Sequence, residues 1–126
     1  MTLAPLILVV DDNALNRELM ISVLQAFEYR SLAVNSGKKA LQIAQEEQPS
    51  VIVSDINMPN MDGYELIHQL KSLPSTAKIP IILMSGIQGS AHDRQRAIEA
   101  GAAALFIRGS KVTELAAIIK RLLSDD

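Results

Sequence analysis

The 126-residue chain contains no cysteine and no tryptophan, and aromatic residues make up only 3% of it. Without cysteine, disulfides, thiolate metal sites and cysteine nucleophiles are excluded. Two Phe and two Tyr are too few for a platform on which nucleic acid bases stack. The formal net charge of −2 also has the wrong sign for a strong binder of the phosphate backbone. We therefore expect no direct contact with nucleic acid.

Long apolar runs are missing as well. No run approaches the roughly 18 residues of a membrane span, and Met1 to Pro5 lacks the pattern of a signal peptide. The shares of hydrophobic residues (48%) and charged residues (21%) are those of an ordinary globular domain. We expect one cytoplasmic domain over residues 1–126, with its core at about 6–123 and no membrane contact.

Short apolar runs alternate with longer segments of helical period. Four runs are continuously apolar, which is typical of strands covered on both faces, and a weaker fifth run is expected at a sheet edge. In chain order the five runs are Leu6 to Val10, Ser31 to Val34, Val51 to Val53, Ile79 to Met84 and Ala104 to Ile107. A strand followed by a helix, repeated five times, predicts an α/β fold with a parallel sheet and helices on both faces.

The helices have their own signals. The apolar stripe predicted for the first helix has residues recurring every four positions and is widened by two neighbours: Leu15, Leu19, Val23 and Phe27, with Met20 and Leu24. Ser36 and Asp62 are candidate N-caps of the second and third helices, and Ser90 is placed to open the fourth. Gly101 follows the fourth helix, where a left-handed residue is expected.

Polar side chains follow the predicted strands at their carboxyl ends, where open α/β sheets bind ligands. They are Asp11 and Asp12, Asp55, Ser85 and Arg108. Three carboxylates at one edge repel one another unless a cation lies among them, and oxygen ligands without His or Cys suit Mg²⁺ or Mn²⁺. A hydroxyl and a guanidinium nearby would bind a phosphoryl group, for which one carboxylate would be the nucleophile.

An ordinary helix N-cap is the competing interpretation of Asp11-Asp12-Asn13 when that triplet is taken alone. Together with Asp55, Ser85 and Arg108 at matching strand ends, the triplet favours a functional site.

Three segments carry a resemblance to a known family. They are Val9-Val10-Asp11-Asp12-Asn13, the run Ser54-Asp55-Ile56-Asn57-Met58-Pro59-Asn60-Met61-Asp62-Gly63, and Met84-Ser85-Gly86. They closely resemble the receiver domain of two-component response regulators, and the similarity extends from about Leu6 to Leu123. The resemblance implies a flavodoxin-like sheet of strand order 2-1-3-4-5 with five helices.

The resemblance also implies a role for each matching position. Asp55 corresponds to the phosphoacceptor. Asp11 and Asp12, together with Asp55, correspond to the carboxylate ligands of Mg²⁺, and the backbone carbonyl of Asn57 to a further metal ligand. Ser85 corresponds to the residue whose hydroxyl binds the phosphoryl group.

Three positions in and after the fifth strand depart from the family pattern. Receivers normally end the fifth strand with Lys-Pro, whereas this chain has Arg108-Gly109. On register we assign the cationic role to Arg108, with Lys111 at the start of the last helix as the alternative. The aromatic that usually lies three residues before the lysine is replaced by Leu105, and Phe106, next along the strand, is expected in the core.

The expected function is that of a phosphorylation-controlled switch. A histidine kinase or phosphotransfer protein would supply the phosphoryl group, and the output would pass to a downstream protein partner or a fused output domain. The domain would catalyse only its own aspartyl phosphorylation and dephosphorylation. Because Ile87 cannot orient a hydrolytic water, we expect the phosphoryl group to last minutes or longer.

A phosphorylation-independent interaction module is the alternative, and it would follow if Arg108 paired permanently with Asp55. A small metal-dependent phosphatase or flavin carrier is disfavoured. Asn57 stands where a second acid would be needed, and the first strand–helix turn is acidic rather than a phosphate-binding loop.

Overall fold

A computed structural model describes residues 3–86 and 91–124 of the chain. Five strands alternate with five helices. The strands are β1 (Leu6–Val10), β2 (Arg30–Val34), β3 (Val51–Asp55), β4 (Ile81–Ser85) and β5 (Ala104–Ile107). The helices are α1 (Ala14–Ala26), α2 (Gly37–Glu47), α3 (Gly63–Lys71), α4 (Ala91–Ala100) and α5 (Val112–Ser124). Ser90, the residue expected to open α4, lies outside the described residues.

All strand pairs are parallel, and the order across the sheet is β2-β1-β3-β4-β5. The predicted α/β class and the strand order implied by the family resemblance are therefore confirmed. The weakest of the five apolar runs forms β2 at one edge, as expected. Because every strand points the same way, the carboxyl ends of β1, β3, β4 and β5 lie along one edge of the sheet.

The sheet is covered on both faces, and successive strand residues alternate between the two cores. On one face α2, α3 and α4 pack against residues such as Leu8, Ile52 and Leu83. On the other face α1 and α5 pack against residues such as Ile7 and Val53. This burial on both sides explains why the strands read as continuous apolar runs. Phe106 belongs to the α1–α5 core, as predicted.

The structure confirms only part of the apolar stripe predicted for α1. Leu15 and Leu19 are 63% and 57% exposed, and the buried residues of the helix are Met20 and Leu24. Both pairs have the four-residue spacing of a helix face, but one residue of rotation is about 100° around the axis. The predicted stripe was therefore too broad, and the docking of α1 on the sheet buries the side that carries Met20 and Leu24.

The three helices that follow β1, β2 and β3 each begin at a polar cap. Asn13, Ser36 and Asp62 accept a hydrogen bond from the backbone N–H three residues later, at 2.9, 3.2 and 2.8 Å respectively. Gly101 ends α4 with a φ of 97°, a left-handed conformation that glycine adopts at little cost. None of the described helices combines the length and apolar character that a membrane crossing requires.

The orientation of α1 is testable with two leucines of the same helix. Leu24 is 1% exposed, so Leu24→Ala should lower the free energy of unfolding by about 2–5 kcal/mol. Leu19→Ala removes the same atoms from the exposed side and should change that free energy by no more than about 0.5 kcal/mol. Urea denaturation of both variants measures the difference, and equal losses would contradict the orientation.

Candidate functional site

The backbone hydrogen bonds of the parallel sheet bring four of the predicted site residues to one edge. The N–H of Asp11 donates to Val34 O beyond β1 (3.1 Å), and Asp55 is the last residue of β3, in register with Met84. The N–H of Arg108 donates to Ser85 O at 3.2 Å, which ties the end of β5 to the end of β4. Strand register thus brings together residues that lie far apart in the sequence.

Asp11, Asp12 and Asp55 form a carboxylate cluster. Each offers an oxygen atom, and the three atoms lie within 4.8 Å of one another. Asp11 is 1% exposed, whereas Asp12 is exposed and Asp55 is intermediate. Three oxygen donors of like charge at this spacing fit a hard divalent cation such as Mg²⁺, which prefers carboxylates and water. The residues present therefore fit the metal that the sequence indicated.

Arg108 already places a positive charge in this cluster. Its Nη2 atom forms an ion pair with Asp11 Oδ2 and lies 3.6 Å from Asp55 Oδ2. The sequence left open whether Arg108 or Lys111 takes the cationic position. Lys111 is exposed and forms no ion pair with the described residues, so the guanidinium of Arg108 is the cation that faces the acids.

Asp11 is held from several sides. Its Oδ1 accepts a hydrogen bond from the N–H of Asn13 at 2.9 Å. Its backbone carbonyl accepts one from Arg17 Nη1 at 2.8 Å. Arg17 escaped the sequence analysis because it lies one turn into α1 and contacts only a backbone atom. The N–H of Asn13 therefore orients the buried carboxylate of Asp11 before any ligand binds.

The loop after Asp55 packs against the start of α3. The N–H of Asn57 lies 3.4 Å from Asp55 Oδ1, and the N–H of Gly63 donates to Ile56 O at 2.8 Å. A Cβ atom on Gly63 would lie 2.7 Å from Asp55 O and 3.0 Å from Ile56 Cα. Glycine is therefore required where α3 meets the loop. The role of the Asn57 carbonyl as a metal ligand stays a prediction.

Ser85 and Gly109 complete the edge. Ser85 is 1% exposed, and its hydroxyl donates to Gly86 O at 3.3 Å. Gly109 has a φ of 91°, which proline cannot adopt. The chain therefore turns at Gly109 in a geometry that a proline could not adopt. Ile87, on which the expected phosphoryl lifetime depends, lies outside the described residues.

Burial is the main reason why the pKa of Asp55 is raised above its ordinary value. The neighbouring charge of Asp11 raises it further, whereas Arg108 and the N–H of Asn57 partly offset the shift. A carboxylate with a raised pKa is costly to ionise in the folded protein. The folded domain thus holds Asp55 in surroundings where an added cation is favourable.

Tyr64 connects α3 to α4. The guanidinium carbon of Arg96 lies 4.2 Å from the centre of the Tyr64 ring, a cation–π geometry. The Tyr64 hydroxyl is buried without a hydrogen-bond partner among the described residues. Burial is the main reason why the pKa of Tyr64 is raised, and the nearby charge of Asp93 raises it further. Sequence spacing gave no signal for this contact, because it depends on α3 and α4 lying side by side.

Comparison with known proteins decides the family. The response regulator receiver domain family matches residues 7–120 of the chain. The chain belongs to this family. Two-component response regulator ORR5 of Oryza sativa subsp. japonica is 32% identical to this receiver over 121 residues, which cover 95% of the chain and 90% of that protein. The sensor histidine kinase RcsC of Escherichia coli is 36% identical over 96 residues, 76% of this chain and 10% of the kinase.

Solved receiver domains have the same fold. The receiver domain of a signal transduction histidine kinase from Syntrophus aciditrophicus superposes with a TM-score of 0.86 at 36% identity, over 96% of this chain and 91% of that one. The receiver domain of sensor histidine kinase PA1611 from Pseudomonas aeruginosa gives a TM-score of 0.88 at 25% identity, over 97% and 99%. That structure has a magnesium ion coordinated in its active site cleft.

The raised pKa of Asp55 predicts a pH dependence of stability in chelator. A carboxyl group whose pKa is higher in the folded state contributes stability below the unfolded value of about 3.8, and loses it as pH rises through the folded pKa. Asp55→Asn should therefore raise the melting temperature at pH 7 and have little effect near pH 4. Thermal melts across this range measure it, and a variant less stable than wild type at pH 7 would contradict the assignment.

Proposed function

We propose that this receiver domain is a phosphorylation-controlled switch that accepts a phosphoryl group on Asp55. The observation that carries the proposal is the meeting of three carboxylates, one guanidinium and one strand-end hydroxyl at a single sheet edge. Membership of the receiver family supports phosphorylation-controlled signalling in general. The assignment of individual residues rests on their positions in this structure.

Phosphoryl transfer at this site needs a nucleophile and neutralisation of charge. A carboxylate oxygen of Asp55 attacks phosphorus and forms a P–O bond, while the P–N bond to the donor imidazole breaks and its electron pair returns to nitrogen. Mg²⁺ held by Asp11, Asp12, Asp55 and the Asn57 carbonyl would neutralise phosphoryl oxygens when bound. Arg108 is placed to contact the phosphoryl group on Asp55 from the β5 side, and the Ser85 hydroxyl would donate to it.

A phosphohistidine on a histidine kinase or phosphotransfer protein is the proposed donor. The relatives include response regulators and a sensor histidine kinase, both components of such systems. A downstream protein partner or a fused output domain would receive the signal. We propose a cytoplasmic location and a single receiver domain over residues 1–126, without catalytic activity beyond its own phosphorylation and dephosphorylation.

A phosphorylation-independent docking module is less favoured by the geometry. That module required Arg108 to pair permanently with Asp55, but Arg108 is shared between Asp11, its shorter contact, and Asp55 Oδ2 at 3.6 Å. The Asp55 side chain remains 14% exposed, so a donor can reach it.

Phosphorylation of Asp55 is directly testable. With Mg²⁺ and acetyl phosphate, the intact mass of the wild-type chain should increase by one phosphoryl group. Asp55→Asn removes the nucleophile and should gain none, and Asp12→Ala should lose most of the Mg²⁺-dependent gain because it removes one metal carboxylate. An unmodified wild-type mass would favour the docking module, and an equal gain in Asp55→Asn would place the acceptor elsewhere.

The consequence of phosphorylation should be small in the isolated domain. Leu105 and Gly109 lack the aromatic and the restrained turn that relay the change in typical receivers, so the coupling should be about 1 kcal/mol, the lower end of the usual range. The beryllofluoride adduct, a mimic of the acyl phosphate, should shift amide resonances mainly around Asp55, Ser85 and Arg108. Large changes throughout α4 and α5 would contradict this expectation, and Asp55→Asn with the same reagent is the control.

A further inference from the structure

We propose that Arg108 is an internal competitor of the divalent cation, so that Mg²⁺ must displace its guanidinium from Asp11 before the site is complete. The inference rests on the proposed metal site and goes beyond it, because it assigns to Arg108 a role in the unphosphorylated protein. Arg108 acts here as a positioning residue that sets metal affinity.

The hydrogen bonds divide the carboxylate oxygens into two sets. Asp11 Oδ1 and Asp55 Oδ1 face backbone N–H groups, those of Asn13 and Asn57. Asp11 Oδ2 and Asp55 Oδ2 face Nη2 of Arg108 instead. The oxygens free of backbone donors are therefore the ones that the guanidinium contacts or approaches. A metal ion that uses Asp11 Oδ2 needs the atom that Arg108 now holds.

Burial makes this competition strong. An exposed ion pair is weakened by water, but Asp11 is 1% exposed and the Arg108 side chain 24%. Removing one partner from a buried pair leaves the other charge uncompensated. Metal binding thus exchanges one cation for another at Asp11, and only the difference between the two contacts contributes to metal affinity.

Arginine suits this role better than lysine. A guanidinium has several donors in a planar fork, so one side chain can face two carboxylates at once, whereas an ammonium is a compact point charge. Once displaced from Asp11, Arg108 needs another anion, and a phosphoryl group on Asp55 would provide it. Metal binding and phosphoryl contact by Arg108 should then favour each other, as linked equilibria require.

The test is a metal titration without any phosphodonor. Arg108→Met keeps an extended side chain but removes the charge, and Mg²⁺ should bind it about tenfold more tightly than wild type, which corresponds to about 1.4 kcal/mol. Amide shifts at Asp12, Asp55 and Asn57 report the binding at constant ionic strength. Equal or weaker affinity in Arg108→Met would overturn the proposal.

Arg17 provides a matched control for the general effect of a nearby positive charge. Its guanidinium donates to the backbone carbonyl of Asp11 and not to the carboxylate. Arg17→Met removes the same charge without freeing a metal ligand, so its Mg²⁺ affinity should stay within about threefold of wild type. A gain equal to that of Arg108→Met would mean that the field of the protein, rather than displacement, sets the affinity.

Thermal stability gives a second readout that does not depend on the amide chemical shifts. In chelator, Arg108→Met should have a lower melting temperature than wild type because three carboxylates lose their cation, and saturating Mg²⁺ should raise it by more than it raises wild type. Equal metal affinity in all variants, with Asp55 still phosphorylated, would overturn this inference alone. If neither wild type nor Arg108→Met bound Mg²⁺, the proposed metal site itself would fail.

Discussion

Repulsion among Asp11, Asp12 and Asp55 is the constraint on which the rest of the site depends. Their oxygens lie within 4.8 Å of one another, and Asp11 is almost fully buried. Such a cluster is stable only with a positive charge inside it. In the protein alone that charge comes from Arg108, whose guanidinium reaches back from the end of β5 to the end of β1. Two strands that are not neighbours in the sheet are thereby joined through their side chains.

The sheet explains why the charged groups of its central strands gather at this edge. Helices cover both faces, so the interiors of β1, β3 and β4 have almost no tolerance for unpaired polar groups. Polar residues are tolerated where a strand leaves the core, and parallel pairing places these strand ends side by side. The exception within a strand, Ser54, is fully buried and satisfied by its own neighbour, the carbonyl of Asp55.

The order of elements and the clustering of acids were predictable from sequence because both follow from where apolar runs stop. The side of a helix that is buried and the direction of a long side chain were not predictable from sequence. Leu19 has the spacing of a core residue, yet α1 docks about 100° away from it. Arg108 pairs with Asp55 at 3.6 Å, but its shorter contact is with Asp11, which no sequence pattern indicates. The contact of Tyr64 with α4 forms only when α3 and α4 pack side by side, so no pattern within one helix predicts it.

Gly63 has a mechanical consequence for the domain. A single methyl group there would collide with the backbone of the acceptor strand and its loop and with the Leu83 side chain, so the start of α3 packs directly against that loop. The first turn of α3 must follow any displacement of the loop as one stiff body. Tyr64 is the next residue, and its ring lies under Arg96 of α4. Direct contacts therefore join the acceptor loop, the start of α3 and α4, so a small displacement at the carboxylates reaches α4 only as a correspondingly small shift.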